Sequence, residues 1–304
     1  MAADLKPPAE RPSKGEILAC ARAPPDVHSM LRTLLSPRTA ARSSVQTGDL
    51  PGDAVIVASY NVHKCVGLDM RRDPGRTAQV IGEIGADVVA LQEADRRYGA
   101  RAGLLDLEAL REISGLTPVE LGSEGPAHGW HGNVLLTRNA EILDVRPLRL
   151  PGLEPRGALV VDLQHDGRPL RVIAAHLGLL RISRLQQARA LVEALGAEEE
   201  SPPTLLMGDL NEWRLRRRSS LAPLAARKGE THTVPSFPAR FPVFALDRIM
   251  TSPGTEVLRL ERHDSALARI ASDHLPVKAW LRLPEPTQED VAAALRDEVR
   301  GTGV

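Results

Sequence analysis

Net charge is what this sequence most plainly lacks: 39 Lys and Arg are balanced by 39 Asp and Glu. Tight nonspecific binding to duplex nucleic acid draws on counterion release by a basic surface, and the total gives it no support. Aromatics are scarce too, at 3%, too few for an extended platform on which bases stack. The two cysteines, Cys20 and Cys65, stand in unlike contexts. That argues against a disulfide framework and makes a reducing interior the default. No apolar run approaches the ~20 residues of a membrane-crossing helix. The opening Met-Ala-Ala-Asp-Leu-Lys-Pro-Pro has no basic segment leading into an apolar one, so no secretory signal is expected and the cytoplasm is the simplest location. What remains is 304 residues, 42% of them hydrophobic, enough for one large or two small globular domains.

Proline density separates the first part of the chain from the rest. Residues 1–52 carry Pro7, Pro8, Pro12, Pro24, Pro25, Pro37 and Pro51 among Arg, Ser and Ala, and read as a flexible extension with no chemistry of its own. Residues 53–283 read as the folded domain. It opens with a buried strand, Ala54–Tyr60. A helix follows, with Asp73 as N-cap, Pro74 at its first position and Gly85 as its stop. A second strand, Asp87–Glu93, completes a βαβ-like unit. A helix is expected over Leu105–Ile113, then strands over Asn133–Thr137, Glu141–Leu148, Ala158–Leu163 and Leu170–His176. Asp166-Gly167 reads as a hairpin turn between the last two. Leu185, Ala188, Leu191, Val192 and Leu195 recur at helical spacing. Late strands are expected over Ala245–Met250, Val257–Glu261 and Val277–Leu281. A tail, residues 284–304, holds a short amphipathic stretch from Val291 to Val299. Hairpins imply antiparallel pairing, so the fold expected is α/β with two sheets packed face to face and helices outside.

Polar residues recur where these strands end. Leu205-Leu206-Met207 runs into Gly208, then Asp209 and Asn211 sit two positions apart. On extended chain both would point to one side, and Gly208 marks a place where another backbone comes close. A carboxylate there can hold a cation or take a proton from water, and an amide can donate to a phosphate oxygen. Asn61, Glu93 and His176 end other strands. Asp247 lies within Phe244–Ile249, and Asp273-His274 precedes Val277. Each has a plain structural alternative: a turn residue, a solvated charge, a satisfied core histidine, a cap. Together they form the inventory of a metal-assisted hydrolase. Oxygen donors without a Cys/His cluster favour magnesium or manganese over zinc.

Seven segments in order carry a resemblance: Ser59–His63, Leu91–Glu93, Gly132–Arg138, Ala175–Leu177, Gly208–Asn211, Leu246–Ile249 and Ser272–Val277. Across roughly residues 54–283 the chain resembles the endonuclease/exonuclease/phosphatase superfamily, whose deoxyribonuclease I-like fold is a four-layer, two-sheet sandwich flanked by helices. It looks most like a bacterial branch of uncertain substrate. The resemblance implies hydrolysis of a phosphate ester by water activated on Mg²⁺ or Mn²⁺. It implies that Glu93, Asn61 and Asp273 serve the metal, that Asp209 positions or deprotonates water, and that Asn211 and His176 hold the phosphate. Asp247 would buttress His274. Asn133 and Arg156 are further candidates for phosphate contact, and His63, His128 and His131 lie near the site by neighbourhood. Two features depart from the pattern. Cys65 stands where relatives often have glycine, which adds an oxidation liability near the metal. The acid that supports the phosphate-side histidine in some relatives has no evident counterpart here.

The substrate stays open at this level. A nucleic acid or nucleotide phosphodiester is one reading, a phospholipid, sphingolipid or inositol-phosphate head group another, and a non-catalytic binding module on the same fold a third. Arg214, Arg216, Arg217 and Arg218 follow the Asp209–Asn211 loop as either a phosphate-attracting rim or a solvated face. Trp130 and Trp213 are the tryptophans expected at the mouth. A monomer is expected.

Overall fold

The strands at the centre of this fold are apolar on both faces because both sheets are covered on both faces. In the computed structural model, described over residues 51–122, 125–195, 202–214, 218–227 and 231–285, the elements run β1 (Val55–Asn61), α1 (Pro74–Ile84), β2 (Val88–Gln92), α2 (Leu107–Ser114), β3 (Thr117–Pro118), β4 (Val134–Thr137), β5 (Ala140–Arg149), β6 (Gly157–His165), β7 (Arg168–His176), α3 (Arg181–Ala194), β8 (Thr204–Asp209), α4 (Ala222–Arg227), β9 (Thr231–His232), β10 (Asp247–Thr251), β11 (Glu256–Arg262), α5 (Ala268–Ala271) and β12 (Val277–Arg282). The proposed N-terminal extension, apart from Pro51 and Gly52, and the Val291–Val299 helix lie outside the described residues.

One six-stranded sheet has the order β11-β12-β1-β2-β4-β3, the other β5-β6-β7-β8-β10-β9. Val55, Val57, Val88 and Ala90 on the first sheet meet Val161, Val172, Leu205 and Met207 on the second, forming the central layer of the core. The opposite pleats are buried as well. Ala58, Tyr60, Val89 and Leu91 pack under Val80, Ile81 and Ile84 of α1 and Leu110 of α2. Val160, Ile173, Ala175 and Leu206 pack under Ala188 and Leu191 of α3 and Leu224 of α4. The result is the four-layer sandwich expected.

Local signals act where the sequence places them. The Asp73 side chain accepts from Arg76 N, Pro74 opens α1, and Gly85 closes it in the left-handed region at φ 61°. Asp166 and Gly167 (φ 49° and 73°) turn β6 into β7, the primed geometry that matches strand twist. The pairs β1–β2 and β7–β8 are parallel. Parallel partners finish at the same end of a sheet, so Asn61 lies beside Gln92, the residue before Glu93, and His176 beside Asp209. Strand β10 runs the other way and starts at that end, with Asp247 opposite Asp209.

Gly208 is the close approach its position suggested. A Cβ built there would stand 1.8 Å from the carbonyl oxygen of Ala175 on β7. Neither central strand has room to retreat, since both are covered by the core and by α3. Gly208→Ala should cost about 3 kcal/mol or more, the upper range for overpacking a core. Thermal denaturation of the variant checks this: an unchanged midpoint would show that β7 and β8 can separate locally.

Candidate active site

Asp209 ends β8, and two strand ends and two loops aim polar groups at its carboxylate. Its Oδ2 accepts from Asn61 Nδ2 at 3.0 Å, lies 3.5 Å from His176 Nε2 and 3.7 Å from His274 Nε2. Its Oδ1 accepts from Asn211 N at 3.0 Å. Asn211 therefore does not hang from an extended strand, as its spacing suggested. The chain turns at Leu210, the Asp209 carboxylate closes an Asx-type turn, and Asn211 takes φ 51°. The turn sends the Asn211 amide to Leu177 O at 3.0 Å.

The two histidines are in opposite electrostatic situations. His274 Nδ1 donates to Asp247 Oδ2 at 2.8 Å, and Asp247 is itself fully buried and accepts from Ser236 Oγ at 2.5 Å. Burial works against an imidazolium, but Asp247, then Asp209, outweigh it and push His274 up to about 10. His176 Nδ1 lies 2.9 Å from Arg156 Nη1. A guanidinium only donates, so Nδ1 is the acceptor and the hydrogen sits on Nε2, facing Asp209. Burial, helped by the Arg156 charge and opposed by Asp209, pulls His176 down to about 3. It is a neutral donor. Glu154 holds Arg156 through Nε and Nη2 at 3.2 and 2.9 Å. An arginine backed by an acid, rather than an acid itself, contacts His176 Nδ1.

The second part of the site lies at the end of the other sheet. Asn61 Oδ1 accepts from His63 N at 3.0 Å, and His63, Lys64 and Cys65 all take positive φ. This tight turn carries the Lys64 ammonium onto Glu93 Oε2. Burial would raise the Glu93 carboxyl, but the Lys64 hydrogen bond and charge hold it below its usual range. Asp273 stands alongside, 3.8 Å from His63 Nδ1, while Ser272 Oγ donates to Asn61 O at 2.7 Å. Lys64, Glu93, His131, Arg156 and His176 line a common recess. Among the described residues no three His, Cys, Asp or Glu side chains are grouped as a ready metal cage. Magnesium needs none, since it is commonly held by one or two carboxylates, water and substrate phosphate. An ionised carboxylate facing the recess fits such a cation once the Lys64 ammonium now paired with it gives way, with Asn61 and Asp273 as further oxygen donors.

Several expectations need correction. Asn133 spends both amide hydrogens on Trp130 O and Gly157 O, leaving it no donor for a phosphate. Trp130 packs between the sheets and donates to Leu148 O, so only Trp213 reaches the mouth. Cys65 is fully buried and burial pushes its thiol up, which removes the oxidation liability. His131 lines the recess and His128 does not. Arg214 lies over the Trp213 ring, 4.5 Å from its centroid; Arg216 and Arg217 lie outside the described residues. Lys64, Glu154 and Ser236 were not anticipated. Lys64 alone left a signal, as a cationic residue directly behind the Asn61 strand end.

Residues 58–274 match the Endonuclease/Exonuclease/phosphatase family. The chain belongs to that family. It is 31% identical over 172 residues to the uncharacterized protein YbhP of Escherichia coli (strain K12), a match covering 51% of this chain and 64% of that relative's length. Among solved structures, the mannosyl-6-phosphatase Bt3783 of Bacteroides thetaiotaomicron VPI-5482 superposes with a TM-score of 0.58 at 19% identity, over 75% of this chain and 100% of that one. D. rerio TDP2 complexed with a single-strand DNA product gives 0.56 at 18% identity, over 76% and 99%. These likenesses show the fold. The family's chemistry is the hydrolysis of phosphate esters.

The charge on His274 depends on Asp247. In Asp247→Asn the main opposing attraction is gone and burial dominates. The histidine should then lose its proton below about 6.5, its unperturbed value. In the parent it keeps the proton until pH rises through about 10. Because the folded value lies above the unfolded one, this pair contributes stability fully present below about 6.5 and lost as pH rises through about 10. Imidazole NMR titration of both proteins checks the shift; a common titration midpoint would show that Asp247 does not set the charge.

Proposed function

We propose that this protein is a phosphodiesterase in which Asp209 receives the proton of an attacking water while neighbouring donors hold the phosphate. What supports this most is the placement of one carboxylate between a neutral and a charged histidine. Groups pushed apart in this way take different parts in acid–base chemistry. Asp209 presents Oδ2 at the centre of the cluster and acts as base. The His274 imidazolium offers a charge-assisted hydrogen bond to a non-bridging oxygen, the stronger kind. The neutral His176 offers Nε2–H, and the Asn211 amide leaves Leu177 O to donate as charge builds. Arg156 fixes the His176 tautomer. Glu93, with Asn61 and Asp273, would hold a magnesium or manganese ion, which when bound neutralises phosphate charge and lowers the pKa of water. Lys64 keeps Glu93 ionised until that ion arrives. The free, buried Cys65 suits a reducing compartment such as the cytoplasm.

Bis(p-nitrophenyl) phosphate with added Mg²⁺ or Mn²⁺ gives a direct assay. Glu93→Gln keeps the shape and removes the charge, and turnover should fall by at least about 100-fold, with the fold intact by circular dichroism. EDTA should do the same to the parent. Full turnover in EDTA, or in the Gln variant, would overturn the metal assignment. No turnover by the parent with either metal would favour a binding module.

A further inference from the structure

Exposed apolar side chains gather on the loops that leave the catalytic strand ends. Leu153 precedes Arg156, Leu179 and Leu180 follow His176, and Trp213 follows Asn211. Phe241 and Val243 lie in the loop whose Phe237 ring stands 4.8 Å from His274. Leu153, Leu179 and Phe241 are 83, 65 and 75% exposed. A monomeric protein scatters such residues singly; a contiguous group marks an interaction surface.

These residues form one arc. Leu179 N donates to Glu154 Oε1 at 2.6 Å, tying its loop to that of Leu153. The fully buried Arg184 donates to Gly178 O and Leu179 O, and its guanidinium lies 6.0 Å from the Trp213 ring centroid. Trp213 meets Phe244 at 6.3 Å, next to Val243. Leu180 even takes the N-cap of α3 with no side-chain hydrogen bond, forgoing the polar cap that commonly stabilises a helix end. Its exposure does nothing for the helix.

Charge on the arc is mostly positive: its loop at Leu153–Arg156 holds one acid, Glu154, which is engaged by Arg156 and by Leu179 N. No Asp or Glu occurs in residues 177–192, 213–228 or 235–246, although acids and bases balance over the whole chain. Arg181 and Arg240 are exposed there with no carboxylate partner among the described residues. Protruding leucine, phenylalanine and tryptophan interleaved with arginine, with the one acid spent on Arg156 and Leu179 N, complement an anionic lipid surface. A nucleic acid would use the arginines but leave the aliphatic side chains in water.

We propose that this arc seats the protein on an anionic phospholipid bilayer and presents lipid head-group phosphodiesters to the site. The docking rests on the surface alone; the substrate class rests also on the phosphodiesterase reading above.

The full chain is sedimented with vesicles of phosphatidylcholine alone or mixed with phosphatidylglycerol. Head-group release and bis(p-nitrophenyl) phosphate turnover are followed in parallel. Binding should favour the anionic vesicles about tenfold or more at low salt, and Arg181→Gln should weaken it about fivefold. The double variant Leu180→Gln/Phe241→Ser should weaken it at least about tenfold and lower head-group release, with soluble turnover unchanged. Equal binding to both vesicle types overturns the docking, as does a double variant that binds like the parent. So does a single-stranded oligonucleotide that binds as tightly as the vesicles and ignores the double substitution. Soluble turnover without head-group release from bound vesicles overturns the lipid substrate. Absent soluble turnover counts against the phosphodiesterase reading and so against that substrate, while the sedimentation still decides the docking.

Discussion

The buried carboxylate of Asp209 is the constraint around which this molecule is arranged. An ion out of water is costly unless its lone pairs are met by donors. Asp209 is 2% exposed, so the fold must bring donors to it from several directions. Asn61 comes from one sheet; His176 and the Asn211 backbone come from the other. The requirement explains why the sheets close on each other at this end with polar groups, while elsewhere they meet through valine, leucine and alanine. It also explains the charge on His274. The Asp247–His274 pair supplies a compensating cation that could not persist in a buried place without a second carboxylate behind it.

Backbone strain follows from the same demand. Glu93, Asn211 and the consecutive residues His63, Lys64 and Cys65 adopt positive φ without being glycine. Such conformations cost of order 1–3 kcal/mol each and persist where surrounding contacts determine them. Here the contacts are visible: Lys64 N donates to Glu93 O at 3.1 Å, and Cys65 N to Val62 O at 2.8 Å. A regular strand would alternate its side chains to the two faces of the sheet. The left-handed turns swing Lys64 and the Asn211 amide out of that alternation and into the site. Gly208 plays a different part, letting β7 and β8 approach closely enough for His176 and Asp209 to face each other.

The sandwich and most of the cluster were legible in the sequence because both depend on local pattern. A strand carries its polar functional group at its end, and parallel neighbours finish together, so Asn61, Glu93, His176 and Asp209 could be picked out by position alone. Asp247 is the harder case, since it starts a strand: it stood out as an acid among apolar residues, but only the family motif gave it a role beside His274. What stayed hidden depends on contacts distant in sequence. Nothing near Arg156 says that its guanidinium will meet a histidine twenty positions on. Nothing in Asn133 says that Gly157 O will claim its amide. The Asn211 turn stayed hidden for the opposite reason: the extended pattern stops at Asp209, two residues before Asn211.

Zero net charge was the first property of this chain, and it conceals a division of labour. Arg171 and Asp162, Arg138 and Asp87, and Arg76 and Asp69 are paired around the body of the domain. Each such pair cancels in the sum and contributes little field beyond about a Debye length, ~8 Å at physiological salt. The arginines beside the site are not all cancelled in this way: Arg156 and Arg214 have Glu154 and Glu212 beside them, whereas Arg181 and Arg240 have no carboxylate partner among the described residues. A total over the chain therefore says nothing about the potential at the mouth, which depends on where pairing stops. An anionic substrate approaching this protein meets the unpaired cations of the mouth before it meets Lys64 and the imidazolium of His274.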